Sequence, residues 1–189
     1  MRPRRLALKL FTREPVAREK LSPYIAVFHR FVKEASVPGL LVDVADYAHV
    51  PDGPGIALIG HEVDYGLDLV GGRSGLIAIS KREGERELAE LFGVTLGRLA
   101  AAARALEAAD EVDVAFTSDA LELVVFDRLA APNTAESAAL ATKELEPVAR
   151  ERLGESVALE HVSGDDPRRA LTLHLSGAAI DLAALAERS

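Results

Sequence analysis

The sequence predicts an α+β fold, with a mostly antiparallel sheet covered by helices. Two observations lead there. Four strand-like runs follow one another between residues 40 and 79 without an intervening helix, which suits hairpin pairing rather than βαβ crossovers. The longest apolar repeat with helical spacing, over residues 83–109, comes only after them and supplies a covering layer.

Taken in order, Leu6, Leu8 and Leu10 alternate with Ala7 and Lys9, so residues 5–11 form the first strand. Ser22 is a good N-cap with Pro23 in the first turn, where its missing N–H costs nothing, and Ile25, Phe28 and Val32, widened by Phe31, form the apolar stripe. Pro38-Gly39 ends that helical unit. Residues 40–45 form a strand, and Pro51-Asp52-Gly53-Pro54-Gly55 turns the chain. Residues 56–59 are continuously apolar, as expected of a strand buried on both faces. Residues 63–70 alternate, Gly71-Gly72-Arg73-Ser74 turns, and residues 76–79 return, which completes a meander.

In the 83–109 helix Leu88, Phe92, Thr95, Leu99, Ala102 and Leu106 form a narrow seam, and Gly93 and Gly97 weaken its first half. Two strands are expected at 112–116 and 121–126, with Ser118-Asp119 as their turn. Asn133 with Glu136 reads as a capping-box-like start to a helix that Pro147 kinks or ends. A last hairpin, 156–162 with 170–175, turns at Gly164-Asp165-Asp166-Pro167, and a short helix follows from about residue 178. The predicted order is β-α-β-β-β-β-α-β-β-α-β-β-α. It is read as a single domain over 1–189, with two packed subdomains, about 1–82 and 83–189, as the alternative.

Composition narrows the partners. At 189 residues and 49% apolar, the chain can build a core without staples, and with 5% aromatics and no Trp that core is aliphatic. Thirty acidic against 22 basic residues give a net charge of −8, which disfavours nucleic acid and anionic membranes. Arg2, Arg4, Arg5 and Lys9 are the nearest thing to a basic patch, and without interleaved aromatics they read as a solvated terminus. The absence of cysteine removes disulfides, thiolate metal sites and a cysteine nucleophile. With no apolar run of membrane-spanning length and no signal-type segment, a cytoplasmic location is expected.

Chemistry-bearing residues concentrate between Asp43 and Gly75, a stretch that also holds seven of the chain's 14 glycines. His49, His61, Glu62 and Asp64 are nitrogen and oxygen ligands of the kind zinc or iron uses. Strand alternation places His61, Val63, Tyr65 and Leu67 on one face and Glu62, Asp64 and Asp68 on the other. A site using both His61 and Glu62 therefore requires an irregularity at Gly60; otherwise the carboxylates are the wet face of an edge strand. Arg73 at a glycine-rich tip is a candidate clamp for a carboxylate or phosphate, with Asp64 and Tyr65 as further ligand-binding candidates. Gly53-Pro54-Gly55 is no dinucleotide loop, because Leu58 stands where a third glycine is needed and a strand follows. His161 and Ser163 share a strand face but have no acidic partner in sequence.

His49-Val50-Pro51-Asp52-Gly53-Pro54-Gly55, followed by Gly60-His61-Glu62 and Gly71-Gly72-Arg73, resembles a family of uncharacterised bacterial proteins. The resemblance covers about a third of the chain, or more if Phe28-His29-Arg30-Phe31 belongs to it, and implies no activity or residue role.

Function on these grounds is unknown. The leading expectation is a binding or interaction protein that associates with itself as a homodimer or higher homo-oligomer, with a small-molecule ligand left open and no cofactor assigned. The first alternative is a small enzyme or metal-binding protein in the 49–73 turns, with His61 or His49 as base or ligand, Glu62 as acid or ligand and Arg73 clamping an anion. The second is a structural subunit of an assembly built on the helix seam.

Overall fold

Period-two alternation builds the centre of the fold. Leu6, Leu8 and Leu10 are at most 2% exposed on one face of strand β1 (Leu6–Thr12), and Ala7, Lys9 and Phe11 point to the other. A computed structural model describes residues 1–50, 54–164 and 166–187. Pro51, Asp52 and Gly53 of the turn-rich stretch and Asp165 of the last hairpin turn lie outside the described residues.

The remaining strands are β2 (Leu41–Asp46), β3 (Ile56–Gly60), β4 (Val63–Asp68), β5 (Gly75–Ser80), β6 (Phe116–Val125), β7 (Ala158–His161) and β8 (Leu171–Ser176). They form one antiparallel sheet of eight strands in the order β2-β3-β4-β5-β1-β6-β8-β7. The helices are α1 (Ser22–Glu34), α2 (Leu88–Glu107), α3 (Ala135–Leu153) and α4 (Leu182–Ala186). The fold is α+β, and the four strands β2 to β5 form the expected meander.

The helices lie on one face. Ser80 of β5 hydrogen-bonds Thr95 of α2 at 2.6 Å, which fixes the face carrying Leu8, Leu58, Tyr65, Ala78, Leu123 and Leu173 as the core. α1 covers β2 and β3, α3 covers β7 and β8, and α4 packs against α2. Each fully buried Leu or Phe there contributes roughly 1.5–3 kcal/mol. Among the described residues no helix covers the opposite face.

Several sequence expectations are corrected. There is one strand over 116–125 rather than two, because Ser118 and Asp119 do not turn: their carbonyls accept N–H bonds from Ile180 and Ala178. A segment far along the chain completes the pairing that a local turn would have broken. Thr134, not Asn133, caps α3 by accepting from Ser137 N, and the helix runs through Pro147 to Leu153. α2 is continuous across Gly93 and Gly97, and both glycines are buried. α1 ends at Ala35, in the left-handed region at φ 50°, three residues before Pro38. Its buried stripe is Tyr24, Val27, Phe28 and Phe31, one register away from the stripe through Ile25 and Val32.

The two ends of the molecule share a plan. β1-α1-β4-β5-α2 and β6-α3-β7-β8-α4 are both βαββα, with local strand orders β4-β5-β1 and β6-β8-β7. β1 and β6 meet antiparallel at the centre, as two units related by a two-fold axis would. The β2–β3 hairpin is the extra piece, and it carries the glycine-rich motif.

Candidate functional site

The meander positions the residues singled out from the sequence. β3 and β4 are joined by a tight turn at His61 and Glu62, so neither residue belongs to a strand. Gly60 is required there, because a Cβ would come within 2.2 Å of the Val63 carbonyl oxygen. His61 is exposed, its N–H donating to Leu40 O at 2.8 Å, and Arg82 Nη1 reaches its carbonyl at 3.2 Å. Glu62 accepts from Leu40 N at 3.2 Å. That N–H holds the Glu62 carboxylate below its ordinary pKa. Asp64 accepts from Gly60 N at 3.0 Å and pairs with Lys81 at 2.7 Å. These side chains fasten a hairpin turn to the edge strand.

His49 stands elsewhere. β2 runs antiparallel to β3 with Asp46 opposite Ile56 and Leu41 opposite Gly60, so His49, beyond Asp46, lies at the far end of β3 from His61. Four residues of strand place the two ends of β3 about 13 Å apart. The structure therefore does not bring His49 together with His61 and Glu62. Among the described residues no group of three or more His, Asp or Glu side chains is arranged to hold a metal ion. Tyr65 is a core residue, 2% exposed, whose hydroxyl donates to Pro38 O at 2.8 Å and whose pKa burial pushes up. Arg73 lies with its guanidinium carbon 3.5 Å from the centre of the Phe11 ring, beside a cavity of about 270 Å³ that Arg13, Thr12 and Ser74 also line.

The open sheet face holds what the sequence did not reveal. Lys9, expected with the solvated terminus, is 5% exposed and bonds Asp68 Oδ2 at 2.6 Å and Val70 O at 3.1 Å. Asp68, 8% exposed, is no wet edge residue, since β4 has β3 and β5 on its two sides. Lys9 reaches across β5 because Gly75 leaves a lane: a Cβ there would lie 3.0 Å from the lysine stem. One register row crosses all eight strands on this face, through Ala45, Ala57, Gly66, Ile77, Lys9, Glu122, His174 and Glu160. A neighbouring row carries Ile79, Ala7, Val124 and Thr172. Ala45, Ala57, Ile59, Ile77 and Ile79 give the half over β2 to β5 its aliphatic patches. Charges stand on both halves, Asp64 and Asp68 on β4 and Lys9, Glu122 and Glu160 across β1 to β7. Residue 56–60 burial alternates rather than being continuous, because β3 has this uncovered face.

His161 and Ser163 do gain a partner. His161 Nε2 lies 2.9 Å from both Asn133 Oδ1 and Ser163 Oγ, and Ser163 donates to Asn133 Oδ1 at 2.6 Å. Ser163 Oγ also accepts from Thr172 N at 3.0 Å. With the hydroxyl proton spent on Asn133, the proton on Nε2 is the one that satisfies these oxygens, so that nitrogen is a donor and no base for the serine. Asn133 Nδ2 meanwhile donates to Gly164 O and Asp166 O, and the cluster closes a loop.

Comparison with known protein families and with characterised proteins gives no match to this chain.

Proposed function

We propose that this protein is a non-enzymatic binding protein that works as a homodimer, two copies meeting through the helix-free face of the sheet. Support comes from the asymmetry of that sheet. Its helix side carries the core, while its other side offers the partly exposed Ala57, Ile77, Ile79 and Val124, with no helix over them among the described residues. Eight strands at about 4.8 Å spacing and about 17 Å length give roughly 650 Å² per copy, or about 1,300 Å² for a pair, a standard interface size. Lys9–Asp68 and Lys81–Asp64 neutralise each other within the chain. Arg73 and Glu122, of opposite sign and without an ion pair among the described residues, remain to meet a second copy across a two-fold axis. Face-to-face sheet packing is an established way to bury such rows.

The helix seam does not serve assembly in the same way. Leu88, Phe92, Thr95, Leu99, Ala102 and Leu106 are at most 3% exposed inside the chain.

Sedimentation velocity across a concentration series tests the proposal, with Ile77→Glu as the variant. A dimer that Ile77→Glu converts to a folded monomer is the expected result. A wild-type monomer throughout the series overturns it.

A further inference from the structure

A second site lies on the helix side, where the segment before α1 meets the loop between α2 and β6. A cavity of about 500 Å³ opens there, within the range of small-molecule sites. Pro15, Val16, Pro23 and Val112 give it apolar walls. Tyr24 forms part of its lining although the residue is only 3% exposed. The Tyr24 hydroxyl has no hydrogen-bond partner among the described residues, in contrast to Tyr65. The ring is enclosed while the hydroxyl stays accessible at the cavity wall, so a donor entering the cavity can bond it in place of water. Burial and the nearby Asp113 charge both keep it in the neutral form.

The rim is acidic. Glu14, Glu19, Glu111 and Asp113 border the cavity against a single cation, Lys20. Glu111 is engaged by Arg30 at 2.8 Å, and among the described residues Glu14, Glu19 and Asp113 have no ion pair. These carboxylates border one cavity yet do not converge on a point where a metal ion could sit. Spread negative charge around apolar walls matches a cation whose charges are themselves spread along a carbon chain.

We infer that this cavity binds an aliphatic diamine or longer polyamine, one ammonium donating to the Tyr24 hydroxyl oxygen and the others meeting Asp113, Glu14 and Glu19. The methylenes lie against Pro15, Val16, Pro23 and Val112, and the neutral phenol accepts at the inner end. None of the residues lining the cavity belongs to a strand of the open sheet face.

Isothermal titration with 1,4-diaminobutane and with spermidine, against magnesium chloride at matched ionic strength, tests the assignment. The expected result is saturable binding of one amine per chain, tighter for spermidine, with no saturable magnesium binding. Tyr24→Phe removes only the hydroxyl and is expected to keep the fold while weakening the amine about tenfold, and Asp113→Asn to weaken it by a similar factor. Equal binding of magnesium, or amine affinity unchanged in folded Tyr24→Phe, overturns the inference. If a variant's circular dichroism departs from wild type, chemical-shift changes on the wild-type protein decide: shifts confined to residues 14–24 and 111–113 support the site, and shifts elsewhere overturn it.

Discussion

Lys9 and Asp68 show how a single residue pair can be invisible in sequence and central in space. Fifty-nine positions separate them, and their meeting depends on β5 having a glycine between β1 and β4. Removing one partner strands a buried charge, so Asp68→Ala should cost about 3–5 kcal/mol in urea-denaturation stability. The double change Lys9→Met with Asp68→Leu removes both charges and should come within about 1–2 kcal/mol of wild type or exceed it. A double variant as unstable as the single one would contradict that. Glu62 makes a separate, pH-dependent contribution. Its folded pKa lies below the ordinary 4.5, so its stabilisation is present above about pH 4.5 and is lost as pH falls through the lower folded value. Glu87, whose carboxylate is held down chiefly by its bond to Arg2, and Asp166, held down by Arg168, act in the same direction. The urea midpoint should thus be flat from pH 7 to about pH 5 and fall below it, and Glu62→Gln should flatten part of that fall. A midpoint that rose on acidification would contradict the assignment.

At the scale of elements, the glycines divide by what surrounds them. A Cβ at Gly60 meets the Val63 carbonyl oxygen at 2.2 Å, and one at Gly75 meets the Leu10 carbonyl oxygen at 2.6 Å. Both neighbours are backbone and cannot turn away. Gly84, at φ 72°, has nothing within 4 Å of the same position. Gly84→Ala should cost only the left-handed strain, about 1–2 kcal/mol, whereas Gly60→Ala and Gly75→Ala should each cost more than that or prevent folding. Thermal unfolding of the three variants gives the ranking. Gly75→Ala should also disturb the Lys9–Asp68 pair, since the lysine stem lies 3.0 Å from the new methyl. Two helices start with a side-chain cap, Asp181 accepting from Ala183 N and Ala184 N and Thr134 from Ser137 N. By contrast, α1 starts after Leu21, with Ser22 already helical, and α2 after Glu87, both without one.

The whole molecule is organised around the β1–β6 contact. Leu6, Leu8 and Leu10 pair in register with Val125, Leu123 and Leu121, so the first and second βαββα units share one sheet and one apolar cluster. Neither unit can cover its central strand alone. Chains cut between α2 and β6, after residue 110, should therefore lack the native circular dichroism spectrum separately and regain it when mixed. A fragment that unfolds cooperatively by itself would show that each half is a domain. The uncovered sheet face belongs to this scale too, because no single strand reveals it: it follows from all the helices choosing the same side.

Periodicity in the chain was enough to determine the α+β class, the meander and most element positions, because alternation and 3.6-residue spacing are local consequences of which side chains must leave water. The motif around His49, Gly60 and Arg73 was equally visible, and an irregularity at Gly60 was the stated condition for a site using both His61 and Glu62, with a regular strand as the other reading. Tertiary structure alone decided what those residues do. It set His49 and His61 at opposite ends of β3, made 116–125 one strand through partners at Ala178 and Ile180, and buried Lys9 against Asp68. It also turned Tyr24 into an acid-rimmed cavity formed with residues 111–113. The physical reason is common to all four: each depends on groups brought together by strand order, and strand order is fixed by the burial of the whole sheet rather than by any local run of residues.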